Sequence, residues 1–126
     1  MNFNLPFLPV RYHKPRNSGF TMVMDKGLSI RETEDFISSC GDFVDFVKFG
    51  FGTSLITKNL EEKIKLYNDA NIRPYFGGTL FEMFLVRGLY NEFRKFLDKY
   101  KLEVVEISDG SISLDHKEKI KYIKEL

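Results

Sequence analysis

The sequence predicts an α/β fold of four βα units built on a parallel sheet. Four short runs rich in β-branched and aromatic residues recur along the chain, and each ends in glycine or charge. Every run is followed by a stretch with the apolar spacing of a helix. Those stretches are long enough for the crossover that a pair of parallel strands requires.

The chain is expected to form a single domain over residues 1–126, with residues 1–19 as a lead-in arm. Pro6, Pro9, Pro15 and Gly19 interrupt any regular pattern there, while Phe3, Leu5, Phe7 and Leu8 are apolar enough to cover a core surface. The basic cluster Arg11, His13, Lys14 and Arg16 is expected to be solvated, with contact to an anionic ligand as the alternative.

Residues 21–27 form the first expected strand. Thr21, Val23 and Asp25 share one face, and Met22, Met24 and Lys26 the other. The small, branched set suits a crowded barrel interior and the methionines suit outer helices, so Asp25 is expected to point inward at the strand's C-terminal end. A helix over 29–40 follows. Ser29 with Glu32 three positions on has the spacing of a capping box, and Gly41 is the stop.

The second strand opens the stretch 44–54, VDFVKFGFGTS. Val44, Phe46, Val47 and Phe49 surround Asp45 and Lys48, and the run dissolves into Gly50, Gly52, Thr53 and Ser54. Alternation puts Phe46, Lys48 and Gly50 on one face. A lysine at the end of a buried strand is costly unless an anion meets it. Its helix spans 59–69, with Leu60, Ile64 and Tyr67 at helical spacing.

The third strand covers 72–76 and ends at Gly77, Gly78 and Thr79. A long helix over 81–100 buries Phe84, Leu85, Phe93, Phe96 and Leu97, with Gly88 as the weak point able to split it. A fourth strand over 103–107 places Glu106 and Ser108 on the face of Val104. It closes at Ser108, Asp109, Gly110 and Ser111, and a last amphipathic helix from Asp115 carries Ile120 and Ile123.

Composition narrows the function classes. A net charge of +1 gives no electrostatic case for nucleic acid or an anionic membrane as partner. One cysteine, Cys40, excludes an internal disulfide, fits a reducing compartment and is expected to act as a small buried hydrophobe. His13 and His116 have no partners at zinc spacing. No apolar run approaches the roughly 20 residues of a membrane span, and no secretory signal opens the chain. A soluble, cytoplasmic protein is the expectation.

In a parallel βα array the C-terminal strand ends open on one side. Here they gather Asp25, Lys26 and Gly27; Lys48, Gly50, Gly52, Thr53 and Ser54; Gly77, Gly78, Thr79 and Glu82; and Glu106, Ser108, Asp109 and Ser111. Glycines with Thr and Ser beside helix N-termini suit a phosphate or carboxylate. Asp25, Glu106 and Asp109 are hard oxygen ligands suited to Mg²⁺. Lys48 would neutralise an intermediate or protonate it. Plain structural readings stand beside these: Gly77-Gly78 as a tight turn, and Asp25 with Lys26 as a surface pair. No Walker loop, dinucleotide fingerprint or nucleophile elbow is present.

GFTMVMDKGL, GDFVDFVKFGFGTS, GGTLFE and VEISDGSISL, in this order, resemble the phosphosulfolactate synthase family over roughly residues 11–115. The resemblance implies a TIM-type (β/α)8 barrel, of which this chain covers about the first four βα units. It also implies Mg²⁺-dependent addition of sulfite to phosphoenolpyruvate, giving 2-phospho-3-sulfolactate for coenzyme M biosynthesis. With that chemistry Lys48 and Glu106 are the expected catalytic residues, and Glu106, Asp25 and Asp109 the expected metal ligands. Lys26, Gly50, Thr53, Ser54, Gly77, Gly78, Thr79 and Ser108 are expected to hold the anionic substrates. The alternatives are a non-catalytic or stress-associated homologue that keeps the fold, and a related lyase using another nucleophile.

Asp25, Lys48 and Glu106 should then converge at one end of the sheet. A complete barrel of this kind typically needs about 250 residues. Four units leave the first and fourth strands with open edges, which invite association. Two copies related by a two-fold axis would close a ring, so a homo-oligomer is expected.

Overall fold

The computed structural model describes residues 3–126. The elements are β1 (Met22–Asp25), α1 (Ile30–Cys40), β2 (Phe46–Phe49), α2 (Leu60–Asp69), β3 (Arg73–Phe76), α3 (Gly78–Leu85), α4 (Tyr90–Lys99) and α5 (His116–Glu125). Short 3₁₀ segments, Gly41–Phe43 and Gly50–Leu55, flank β2. The strands pair in parallel in the order β1-β2-β3, giving the expected α/β class.

Local chemistry accounts for the helix ends. The Ser29 side chain accepts from the Glu32 N–H while the Glu32 carboxylate accepts from the Ser29 N–H, so α1 starts with the capping box read from its spacing. The stretch expected as one helix is two, because Gly88 takes a left-handed φ of +68° between α3 and α4.

The core lies between one face of the sheet and the helices. Val47, Phe49 and Phe76 pack there with Ile64 and Tyr67 of α2, Phe81 of α3, and Phe93 and Leu97 of α4. Register settles which residues share that face. Val23 pairs with Val47 and Asp25 with Phe49, whereas Met22 pairs with Phe46 and Met24 with Lys48. Side chains in register on neighbouring strands point the same way. The face assignment expected for the first strand is therefore inverted: Val23 and Asp25 face the helices. Met22 lies on the opposite, open face and is 46% exposed.

The expected fourth strand does not form; residues 103–109 run without strand pairing. Arg73 and Gly77 direct their N–H groups toward β2, onto the carbonyls of Asp45 and Phe49. By alternation the N–H of position 74 would face the outer edge of β3. Pro74 has none, so one of the donors a fourth strand would use is missing from that edge.

The arm corrects a further expectation. Arg16 is buried, not solvated. It donates to Asp45 Oδ1 at 2.8 Å and to the carbonyls of Asp42 and Tyr12, at the N-terminal end of β2. Arg11 joins it on Asp45 Oδ2 at 3.6 Å.

Candidate active site

Lys48 sits one residue before the end of β2, in register with Met24 on β1 and Tyr75 on β3, so its side chain leaves the sheet on the face away from the helices. The stem crosses Gly77. A Cβ at Gly77 would lie 2.9 Å from the Phe49 carbonyl oxygen and 3.2 Å from both Cγ and Cδ of Lys48. Any larger residue there would push the lysine aside.

The Lys48 ammonium reaches Glu106, with Nζ 3.3 Å from Oε2. Gly78, the first residue of α3, donates its N–H to the same Oε2 at 3.1 Å. Ser108 packs directly on Gly78, where an added Cβ would stand 2.2 Å from the serine Oγ. The Lys48 and Glu106 side chains remain 17% and 34% exposed. Both charged groups are therefore in contact with solvent.

Tyr75 and Glu82 complete this end of the sheet. Burial and the nearby Glu106 charge raise the Tyr75 phenol above its ordinary value, so it stays a neutral donor. Alternation puts Tyr75 on one face with Gly77, and the register of β3 against β2 brings it beside Lys48. Glu82 is buried and accepts from Ser108 and from the N–H groups of Gly110 and Ser111. Burial alone would raise its carboxyl, but the Ser108 hydroxyl and those two N–H groups hold it below the ordinary value.

The remaining expected site residues scatter. Asp25 lies under α2, where Oδ2 meets Lys63 Nζ at 2.7 Å and the Tyr67 hydroxyl at 2.8 Å. Its Oδ1 accepts the N–H groups of Gly27 and Leu28, and Lys63 also reaches the Leu28 carbonyl. Burial alone would raise this carboxyl, yet Lys63, the two N–H groups and Tyr67 together keep it below the ordinary value. Asp25 therefore anchors the β1–α1 loop and does not converge with Lys48 and Glu106. Asp109 is turned to Lys119, 2.7 Å away. Among the described residues no group of three or more His, Cys, Asp or Glu side chains is placed to hold a metal ion, so the expected trio of Glu106, Asp25 and Asp109 is not assembled.

Lys26 and Thr53 line a separate cleft of about 470 Å³ between the β1–α1 and β2–α2 loops, with Ser29, Thr57 and Lys58. Gly50 lies beneath Met24, close enough that a Cβ would meet its Cγ and Sδ at 2.6 Å. Ser54 is buried toward the helix layer, in an apolar groove with Leu60, Leu80 and Phe84. Thr79 occupies the first turn of α3. Of the residues expected at the site, the structure thus gathers Lys48, Glu106, Gly77, Gly78 and Ser108.

Residues 9–126 match the family model described as (2R)-phospho-3-sulfolactate synthase (ComA). The chain is 44% identical over 116 residues to a phosphosulfolactate synthase of Bacillus subtilis, covering 92% of this chain and 46% of that protein. It is 45% identical over 108 residues to the phosphosulfolactate synthase of Methanocaldococcus jannaschii, covering 84% of this chain and 43% of the relative. The Methanothermobacter thermautotrophicus phosphosulfolactate synthase is 36% identical over 118 residues. The chain spans less than half the length of these curated relatives. The matched region takes in every strand and the whole Lys48–Glu106 cluster, and the chain belongs to the (2R)-phospho-3-sulfolactate synthase family.

Proposed function

We propose that this chain contributes the first βα units of a (β/α)8 barrel that adds sulfite to phosphoenolpyruvate. The observation that carries the reading is the Lys48–Glu106 pair at the C-terminal strand ends, with Glu106 held by the Gly78 N–H at the start of α3. Sulfite sulfur would attack the methylene carbon of phosphoenolpyruvate, forming the C–S bond. The alkene electron pair would move toward the carboxylate, and a proton delivered to the phosphate-bearing carbon would complete 2-phospho-3-sulfolactate. Lys48 is suited to meet the charge that builds on the carboxylate, as a clamp or as the proton donor. Tyr75 adds a neutral donor on the same face.

Mg²⁺ belongs to the proposal through Glu106 alone. The ion is commonly bound by one or two carboxylates with substrate oxygens and water as its other ligands. When bound it would stabilise negative charge on the substrate. Lys26 and Thr53, in their own cleft, are proposed as a second contact for anionic substrate. The open sheet face is proposed to be covered by a second copy of the chain.

The test is sulfite-dependent consumption of phosphoenolpyruvate, followed with and without Mg²⁺. Turnover requiring both substrates supports the reading. Binding of phosphoenolpyruvate without turnover at any sulfite concentration would favour the non-catalytic homologue instead.

A further inference from the structure

The segment carrying Glu106 has no sheet ladder to fix it, since residues 103–109 do not pair with β3. Something else must hold the carboxylate opposite Lys48. Two contacts with α3 do so. At its start the Gly78 N–H donates to Glu106 Oε2, and one turn later Glu82 takes the turn that follows. Glu82 Oε1 accepts from the Gly110 N–H at 2.8 Å and from the Ser108 hydroxyl, and Oε2 accepts from the Ser111 N–H at 3.0 Å.

A carboxylate that is 3% exposed is costly unless every lone pair it turns inward finds a donor. Glu82 forms no ion pair among the described residues, so backbone and hydroxyl donors carry that requirement. Ser108 links the two contacts. Its hydroxyl is held by Glu82 while its Cβ rests on Gly78, two residues beyond Glu106. Moving the 108–111 turn would drag Ser108 off Gly78 and Glu106 off the Gly78 N–H.

We infer that Glu82 is a positioning residue that sets the Lys48–Glu106 geometry by clamping the 108–111 turn to α3. The inference deepens the proposed function and rests on it only for its kinetic consequence, a fall in kcat/KM.

Amide hydrogen exchange on the chain and on Glu82→Gln tests it without turnover. Glutamine keeps the shape but turns an N–H₂ toward one of the two backbone donors, so one bond is replaced by a donor–donor contact. Exchange at Gly110 and Ser111 should quicken, and exchange at Gly78 should quicken with them by about tenfold or more. Phe93 and Leu97 in α4 should be unchanged, which shows that the fold is intact. Faster exchange at Gly110 and Ser111 with Gly78 unaltered would overturn the inference, because Glu82 would then serve only its own turn. Should Glu82→Gln not fold, Ser108→Ala deletes one bond of the clamp and is read the same way. Gly78 should quicken by a smaller factor, and an unchanged Gly78 overturns the inference. A wild-type chain that binds no phosphoenolpyruvate would defeat the proposed function and leave this exchange result standing.

Discussion

Lys48 and Glu106, 58 residues apart in sequence, bring their charges to 3.3 Å across a pair of glycines. The lysine stem lies over Gly77, and the segment carrying the glutamate is seated on Gly78. The GG of GGTLFE is thus a packing device as much as a turn: it lets two chain segments approach where a Cβ would separate them.

Gly78→Ala should move Glu106 away from Lys48 and destabilise the fold by about 1–3 kcal/mol, the usual range for overpacking. Combining it with Ser108→Gly removes the Oγ and Cβ that the new methyl would strike at 2.2 and 2.4 Å. A double-mutant cycle by urea unfolding should therefore show coupling of at least about 0.5 kcal/mol. Additive effects would mean that Ser108 is not what Gly78 accommodates.

Asp25→Ala should cost about 3–5 kcal/mol, because it leaves the fully buried Lys63 ammonium without its counter-charge. Chemical denaturation of the variant gives the number. An Asp25→Ala protein of unchanged stability but weakened Mg²⁺ affinity would restore Asp25 as a metal ligand.

Acid should weaken the fold through three carboxyls. Asp25, Asp45 and Glu82 all titrate below their ordinary values of 3.8, 3.8 and 4.5 when folded. For Asp45, burial opposes the shift, and the Thr21 N–H and Arg16 outweigh it. A depressed folded value means that the unfolded chain binds protons first as pH falls. Their stabilisation is then complete above the ordinary values and lost on going below them. The thermal midpoint should be flat from pH 7 to about 5 and fall below about pH 4. A midpoint that held steady down to pH 3 would show that these carboxylates contribute no net stability.

Self-association should follow from the sheet's open side. The outer edges of β1 and β3 are unpaired among the described residues, and Phe20 and Met22 are 47% and 46% exposed there. Sedimentation at micromolar concentration should give a dimer or larger species. A monomer with a single cooperative unfolding transition would mean that the chain closes its own core.

The sequence made the three strands and their helices legible, because each run carries its own apolar period and its own stop. Lys48 was legible for a related reason: a charge at the glycine end of an apolar strand needs an explanation wherever it points. The face of Asp25 was not. Its partners Lys63 and Tyr67 lie on α2, Tyr67 being 42 residues away, and a two-residue period fixes alternation without saying which side is inward. Arg16 looked like part of a solvated run because its partner, Asp45, is 29 residues downstream. That Pro74 removes a donor from the outer edge of β3 was not legible either, because pairing with β2 decides which edge position 74 faces.

Phosphoenolpyruvate binding to the wild-type chain and to Lys48→Ala tests the central claim most directly, since it asks whether this cluster receives the anion before any turnover is required. Phosphorus NMR titration reports it. The wild-type chain should bind, and Lys48→Ala should bind at least about tenfold more weakly, the equivalent of 1.4 kcal/mol. Its thermal midpoint should stay close to wild type, because the ammonium is partly exposed and Glu106 keeps its bond from Gly78. Equal affinity in the two proteins would contradict the account.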